Sequence, residues 1–187
     1  MPAIRATKPD LDQEIPIALA ARIAGIERAA LSHLVDHGLV DRLDLDTVRS
    51  LALSGTVAAK PADSPGYLVV RTALDPQDMR IADMTDEQLA EAVSGPHRIP
   101  DHYAGHSALI TVRGFVVATG QVRSLGDPVT LRTDRRGREI SARSLSIAIE
   151  NRLYDVTARP SKAAGDARWL GRRARVRAGR AVLPLEA

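Results

Sequence analysis

The sequence predicts an α+β chain: a bundle of three short helices over residues 1–56, a linker at 57–66, and a β-rich unit over 67–187. Three observations predict it. Apolar residues recur at helical spacing only in the first part. Residues 54–66, SGTVAAKPADSPG, are a run of Ser, Gly, Ala and Pro of the kind that punctuates domains. Beyond that run, short β-branched stretches bounded by turn residues take over, as expected of a curled antiparallel sheet or small barrel.

The elements follow in order. Residues 1–14 read as a leader with Pro9 and the acids Asp10, Asp12 and Glu14. Pro16 suits a helix start, where its missing N–H costs nothing. Residues 17–24 form an Ala-rich helix interrupted by Gly25; a second helix covers 27–36 and stops at Gly38. A third covers 46–53, capped by Asp44 or Asp46. After the linker, residues 67–70 form a strand. Residues 85–93 form a helix opened by Thr85 with Gln88 three positions on, a capping box. Residues 107–117 make one apolar strand continued through 120–122. Residues 129–132 and 139–143 make a hairpin around the Gly137 turn. Residues 145–149, as a strand or a helix, and 152–157 are further candidates, and 175–177 and 181–185 read as one or two closing strands.

Composition limits the chemistry. The chain of 187 residues has no cysteine, which excludes a disulfide scaffold, Cys-ligated zinc and thiol catalysis. Only 3% is aromatic and no aromatic precedes Tyr67, so the helical core must be Leu, Val, Ile and Ala. No apolar run approaches the roughly 20 residues of a spanning helix, and no apolar signal segment opens the chain; a cytoplasmic location is the expectation. Charge is split: residues 1–120 carry 11 basic and 16 acidic side chains, and residues 121–187 carry 15 and 7. A basic end on an acidic front is expected where one end meets an anionic partner, although two solvated faces of opposite sign give the same count.

The segment 20–34 carries the most informative motif. A helix–turn–helix needs a small residue where its helices cross, which Ala21 supplies, and a residue tolerant of positive φ four positions later, which Gly25 supplies. Ile26, Leu31 and Leu34 then face the core at helical spacing. With Gly38-Leu39-Val40 and the helix-forming stretch 43–49, residues 15–53 resemble the helix–turn–helix of the MerR and excisionase group of bacterial and phage regulators. The resemblance implies that Glu27, Arg28, Ala29, Ser32 and His33 face the DNA major groove: Arg28 toward guanine or phosphate, Ser32 and His33 toward phosphate or base edges, Glu27 toward cytosine. Residues 10–59 depart from a strong DNA binder in holding 8 acids and 4 arginines. A three-helix bundle for protein contact has the same pattern.

In the second part, residues 92–99 and 108–122 with the late Trp169-Leu170-Gly171-Arg172 look faintly like PUA-type barrels, which implies binding of RNA or a modified base. The arginines favour duplex backbone. Arg132, Arg135, Arg136, Arg138 and Arg143 flank the Gly137 turn. Arg172 and Arg173 lie near the end, and Arg173, Arg175 and Arg177 alternate, so a strand sets them on one face about 7 Å apart, the spacing of successive phosphates. Few aromatics argue against a stacking platform for single strands. Catalytic signatures are weak: there is no GxSxG, P-loop or GxGxxG, and His97, Asp101, His102 and His106 fall in a polar loop with no familiar metal spacing. The expectation is a non-enzymatic, cofactor-free, sequence-specific double-stranded DNA-binding protein, a bacterial or phage transcriptional regulator or repressor with no membrane partner. The alternatives are a PUA-type RNA or modified-base binder and a metal-dependent hydrolase or nuclease using His97, His102 and Asp101.

Overall fold

A computed structural model describes residues 13–57, 66–72, 74–75, 77–133, 136–137, 139–158, 165–174 and 182–185. Three helices come first: α1 Ile17–Ala24, α2 Arg28–Asp36 and α3 Leu45–Ala52. α1 and α3 each have a physical start or stop in their sequence. The Pro16 carbonyl accepts from the N–H groups of Leu19 and Ala20, opening α1, and Gly25 ends α1 in the left-handed region at φ 61°, which only glycine enters without strain. Asp44 caps α3, its carboxylate accepting from the Thr47 N–H at 2.8 Å. That bond holds the Asp44 carboxyl below its usual pKa. The core among the helices is made of Ala20, Ala21, Ala24, Leu31, Leu34, Val48 and Leu51, the aliphatic core that the absence of aromatics requires.

The second part is built on a five-stranded sheet in the order β6–β3–β2–β1–β7. The strands are β1 Tyr67–Arg71, β2 Ser107–Val112, β3 Phe115–Leu125, β6 Leu145–Arg152 and β7 Val182–Leu185. It is neither antiparallel throughout nor a closed barrel: β1 pairs parallel with β2, Leu68 opposite Ala108, and the other pairings are antiparallel. The expected all-antiparallel sheet is corrected here, because a crossover of more than thirty residues separates β1 from β2. Parallel neighbours need a connection of that kind. It carries α4 Asp86–Ala92, which opens with the expected Thr85–Gln88 capping box.

The apolar run 107–117 is two strands. Val112 pairs with Phe115, so Arg113 and Gly114 alone make the turn, with φ 47° and 89°. Positive φ at both central residues is the two-residue hairpin turn that matches strand twist. β3 then continues into β6 through a long excursion, a ribbon of β4 Val129–Thr133 and β5 Glu139–Ala142. Every residue of β4 is exposed, so the ribbon stands off the core.

Helices and sheet share one hydrophobic cluster, running from Leu31 and Leu51 to Leu109 and Val117. Backbone hydrogen bonds stitch the two parts together: Val57 to Arg173, Arg173 to Gly55, Ala82 to His37 and Val156 to Leu39. Most of the expected linker at 57–66 lies outside the described residues.

Candidate nucleic-acid interface

The site is built outward from the α1–α2 corner. After Gly25, the Ile26 N–H donates to the Ala21 carbonyl at 3.0 Å, and α2 begins at Arg28 after a turn of three residues. Small side chains at Ala20, Ala21 and Ala24 let the two helices cross closely. Leu31 and Leu34 fix the inward face of α2. The opposite face is set by the helical period.

That face divides into two stripes. Arg28 and Ala29 are exposed, and Ser32 lies one turn on, its hydroxyl donating to Asp36 Oδ2 at 3.4 Å. Glu27, Ala30 and His33 form a second stripe that turns toward the β2–β3 hairpin. Glu27 and Ala30 line an open cleft of about 230 Å³ whose other wall is Arg113–Phe115. At the end of the stripe, His33 Nε2 accepts from Arg113 Nη2 at 2.6 Å. Of the five side chains expected to face a groove, Arg28, Ala29 and Ser32 share the outward stripe. Glu27 and His33 flank it on the hairpin side.

Arg113 was not legible as a site residue. It is the one non-glycine residue with positive φ among the described residues. Asn or Gly fits that turn position without strain, and a long side chain there costs about 1–2 kcal/mol. A strained residue whose guanidinium lies against a helix face is a functional candidate.

Of the expected row of Arg173, Arg175 and Arg177, only Arg173 lies among the described residues. Arg173 occupies isolated bridges with Thr56 and Phe115, and its guanidinium turns inward. Nη2 donates to the carbonyls of Ala24 at 2.8 Å and Leu51 at 3.0 Å, Nη1 to Gly25 at 3.2 Å and Nε to Ser54 Oγ at 2.9 Å. It thus caps the C-terminal ends of both α1 and α3, where unsatisfied carbonyls concentrate negative charge. Its removal from the phosphate-binding row is a correction: a guanidinium so engaged is not offered to a phosphate. Arg172 is exposed, but Nε donates to the Arg168 carbonyl, and its guanidinium lies 5.6 Å from the centre of the Trp169 ring. Arg168 stacks on the same ring at 4.6 Å. Trp169 is anchored in turn through Nε1 to Tyr67 Oη at 2.8 Å, and the Tyr67 hydroxyl donates to Asp166 at 3.0 Å. Arg175 and Arg177 lie outside the described residues.

On the ribbon, Arg132 is exposed on β4 and Arg136 is exposed at the tip beside Gly137. Arg135 and Arg138 lie outside the described residues. Arg143, at the ribbon's base, is turned inward, donating to the Gly126 carbonyl at 3.0 Å and pairing with Asp101 at 2.9 Å.

The side chains of the histidine loop are engaged with other partners. Asp101 pairs with Arg143, His97 Nε2 lies 2.7 Å from the Val93 carbonyl, and the rings of His102, Tyr103 and His106 pack on one another at 4.4–6.0 Å. Among the described residues no three His, Asp or Glu side chains are placed to hold a metal, so the loop lends no geometry to the metal-dependent alternative. His37 is 1% exposed and 6.0 Å from His33. Burial first, then the neighbouring His33, lowers its pKa from the ordinary 6.5, against the opposing pull of the Leu74 backbone, Asp36 and Asp75. Among the described residues no helix is long and apolar enough to cross a membrane.

Compared with protein-family models, curated proteins and solved structures, the chain shows no match.

Proposed function

We propose that this chain is a sequence-specific double-stranded DNA-binding protein, a bacterial or phage transcriptional regulator, in which α1 and α2 act as a helix–turn–helix. The single observation that carries the reading is the α1–α2 corner. Two helices of 8 and 9 residues meet through a three-residue turn with a left-handed glycine, and an outward stripe of Arg28, Ala29 and Ser32 is left for a partner. A helix so placed enters a major groove with its first turns leading. Arg28 then reads guanine or binds a phosphate, Ala29 meets a thymine methyl, and Ser32 serves as a hydrogen-bonding group. The exposed ribbon arginines Arg132 and Arg136 supply positive charge for the backbone. The acidic balance of the helical part makes that supplement necessary.

The test is selection of bound duplexes from a genomic fragment library, followed by titration of the selected site. Arg28→Ala is expected to weaken binding to that site by about 1–3 kcal/mol while changing binding to unrelated duplex little. Absence of duplex binding at low salt, or a variant footprint identical to wild type, refutes the reading.

A further inference from the structure

We infer that Arg113, at the tip of the β2–β3 hairpin, is a second DNA contact, gripping a backbone phosphate of the duplex that α2 reads. The inference rests on the helix–turn–helix reading and extends it to a residue 80 positions beyond His33 in the chain. Three observations carry it. Arg113 is exposed. Its guanidinium lies 2.6 Å from His33, and the hairpin turn forms the far wall of the cleft beside Glu27 and Ala30. A duplex seated on Arg28, Ala29 and Ser32 therefore has Arg113 at its flank. Finally, the turn holds arginine at φ 47°, where a small residue is favoured.

The contact with His33 suits this role. An arginine carries five N–H donors and no acceptor. The hydrogen bond to His33 is made through Nη2 and orients the planar fork toward the α2 face. Phosphate is the ligand such a fork matches in two-point geometry. His33 is a positioning residue, and Arg113 is the one that touches the nucleic acid.

The experiment titrates full-length wild type, Arg113→Asn and His33→Ala against a mixed-sequence DNA duplex of about two helical turns (about 20 base pairs) over a range of salt, with thermal melting of each protein alongside. Asn fits the turn, so Arg113→Asn is expected to melt no lower than wild type, which keeps loss of fold out of the comparison. It is expected to bind several-fold more weakly, with the slope of log K against log salt shallower by about 0.9, one phosphate contact. His33→Ala keeps the Arg113 charge and is expected to keep the wild-type slope. If Arg113→Asn retains wild-type affinity and slope while wild type binds, the inference falls and the helix–turn–helix reading stands. If His33→Ala and Arg113→Asn lose affinity equally with no change of slope, Arg113 only braces the hairpin, and the inference again falls. If wild type binds no duplex at low salt, both fall together.

Discussion

The arginines of the 165–174 segment and those of α2 and the ribbon carry the same charge in different surroundings. Arg173 spends its guanidinium on carbonyls of Ala24, Gly25 and Leu51, whereas Arg168 and Arg172 are exposed but lie over Trp169. Arg28, Arg132 and Arg136 are exposed. What separates the groups is what lies within reach. Where two helices end side by side, their carbonyls draw the guanidinium of Arg173 inward. Where the neighbour is a helix face or an open ribbon, the side chain stays at the surface. A surplus of arginine in a sequence is therefore not a count of phosphate contacts.

The largest expected effect breaks the inward half of this comparison. Arg173→Ala leaves the ends of α1 and α3 without their shared donor, and should cost about 2–4 kcal/mol of unfolding free energy in urea denaturation. Arg173→Lys should recover less than half of that, because an ammonium keeps the charge but not the fork that spans several carbonyls. A loss below about 0.5 kcal/mol, the range of ordinary surface substitutions, shows that the carbonyls are served equally well by water.

The same contrast explains what the sequence could and could not disclose. Features governed by neighbours in the chain were legible: α1 over 17–24, the left-handed Gly25, the Asp44 cap, the Thr85–Gln88 box and the β4–β5 hairpin. Features governed by distant partners were not. Arg173 finds Ala24 across 149 positions, and alternation alone set it with Arg175 and Arg177 on an outward face. The β1–β2 pairing is parallel, and a parallel neighbour leaves no turn signal between its strands. The Arg113–Gly114 turn hid inside a β-branched run because its first position is not Asn, Asp or Gly, the residues by which such turns are read. The outward placement of Arg28, Ala29 and Ser32 followed from helical period, and the hairpin beside them did not.

A smaller effect concerns His37, just past the end of α2. His37 is buried and its pKa lowered, chiefly by burial, so the unfolded chain binds a proton more readily than the folded one. Stability therefore rises with pH through this window. Above the ordinary value of 6.5 His37 is neutral in both states and costs nothing. As pH falls below it, the unfolded state gains the proton first and stability is lost, until the folded His37 titrates as well. Urea midpoints of wild type and His37→Leu should diverge in slope below that value, the variant being the flatter. Parallel curves between about pH 7 and 5 show that the ring is protonated as easily in place as in water.

The smallest expected change in stability tests the outward half. Arg132 and Arg136 stand exposed on the ribbon, where side-chain ion pairs and hydrogen bonds contribute little against solvent screening. Their joint replacement by Ala should change unfolding free energy by less than about 0.5 kcal/mol. The same variant should lower the salt slope of duplex binding by about 2, at about 0.9 for each phosphate no longer neutralised. A melting temperature unchanged and a slope reduced separates these arginines from Arg173 on both axes, since Arg173 should move stability strongly. If instead the double variant unfolds early and its slope is that of wild type, the ribbon's charges serve the fold, and the division between inward and outward arginines fails at the place where exposure made it most secure.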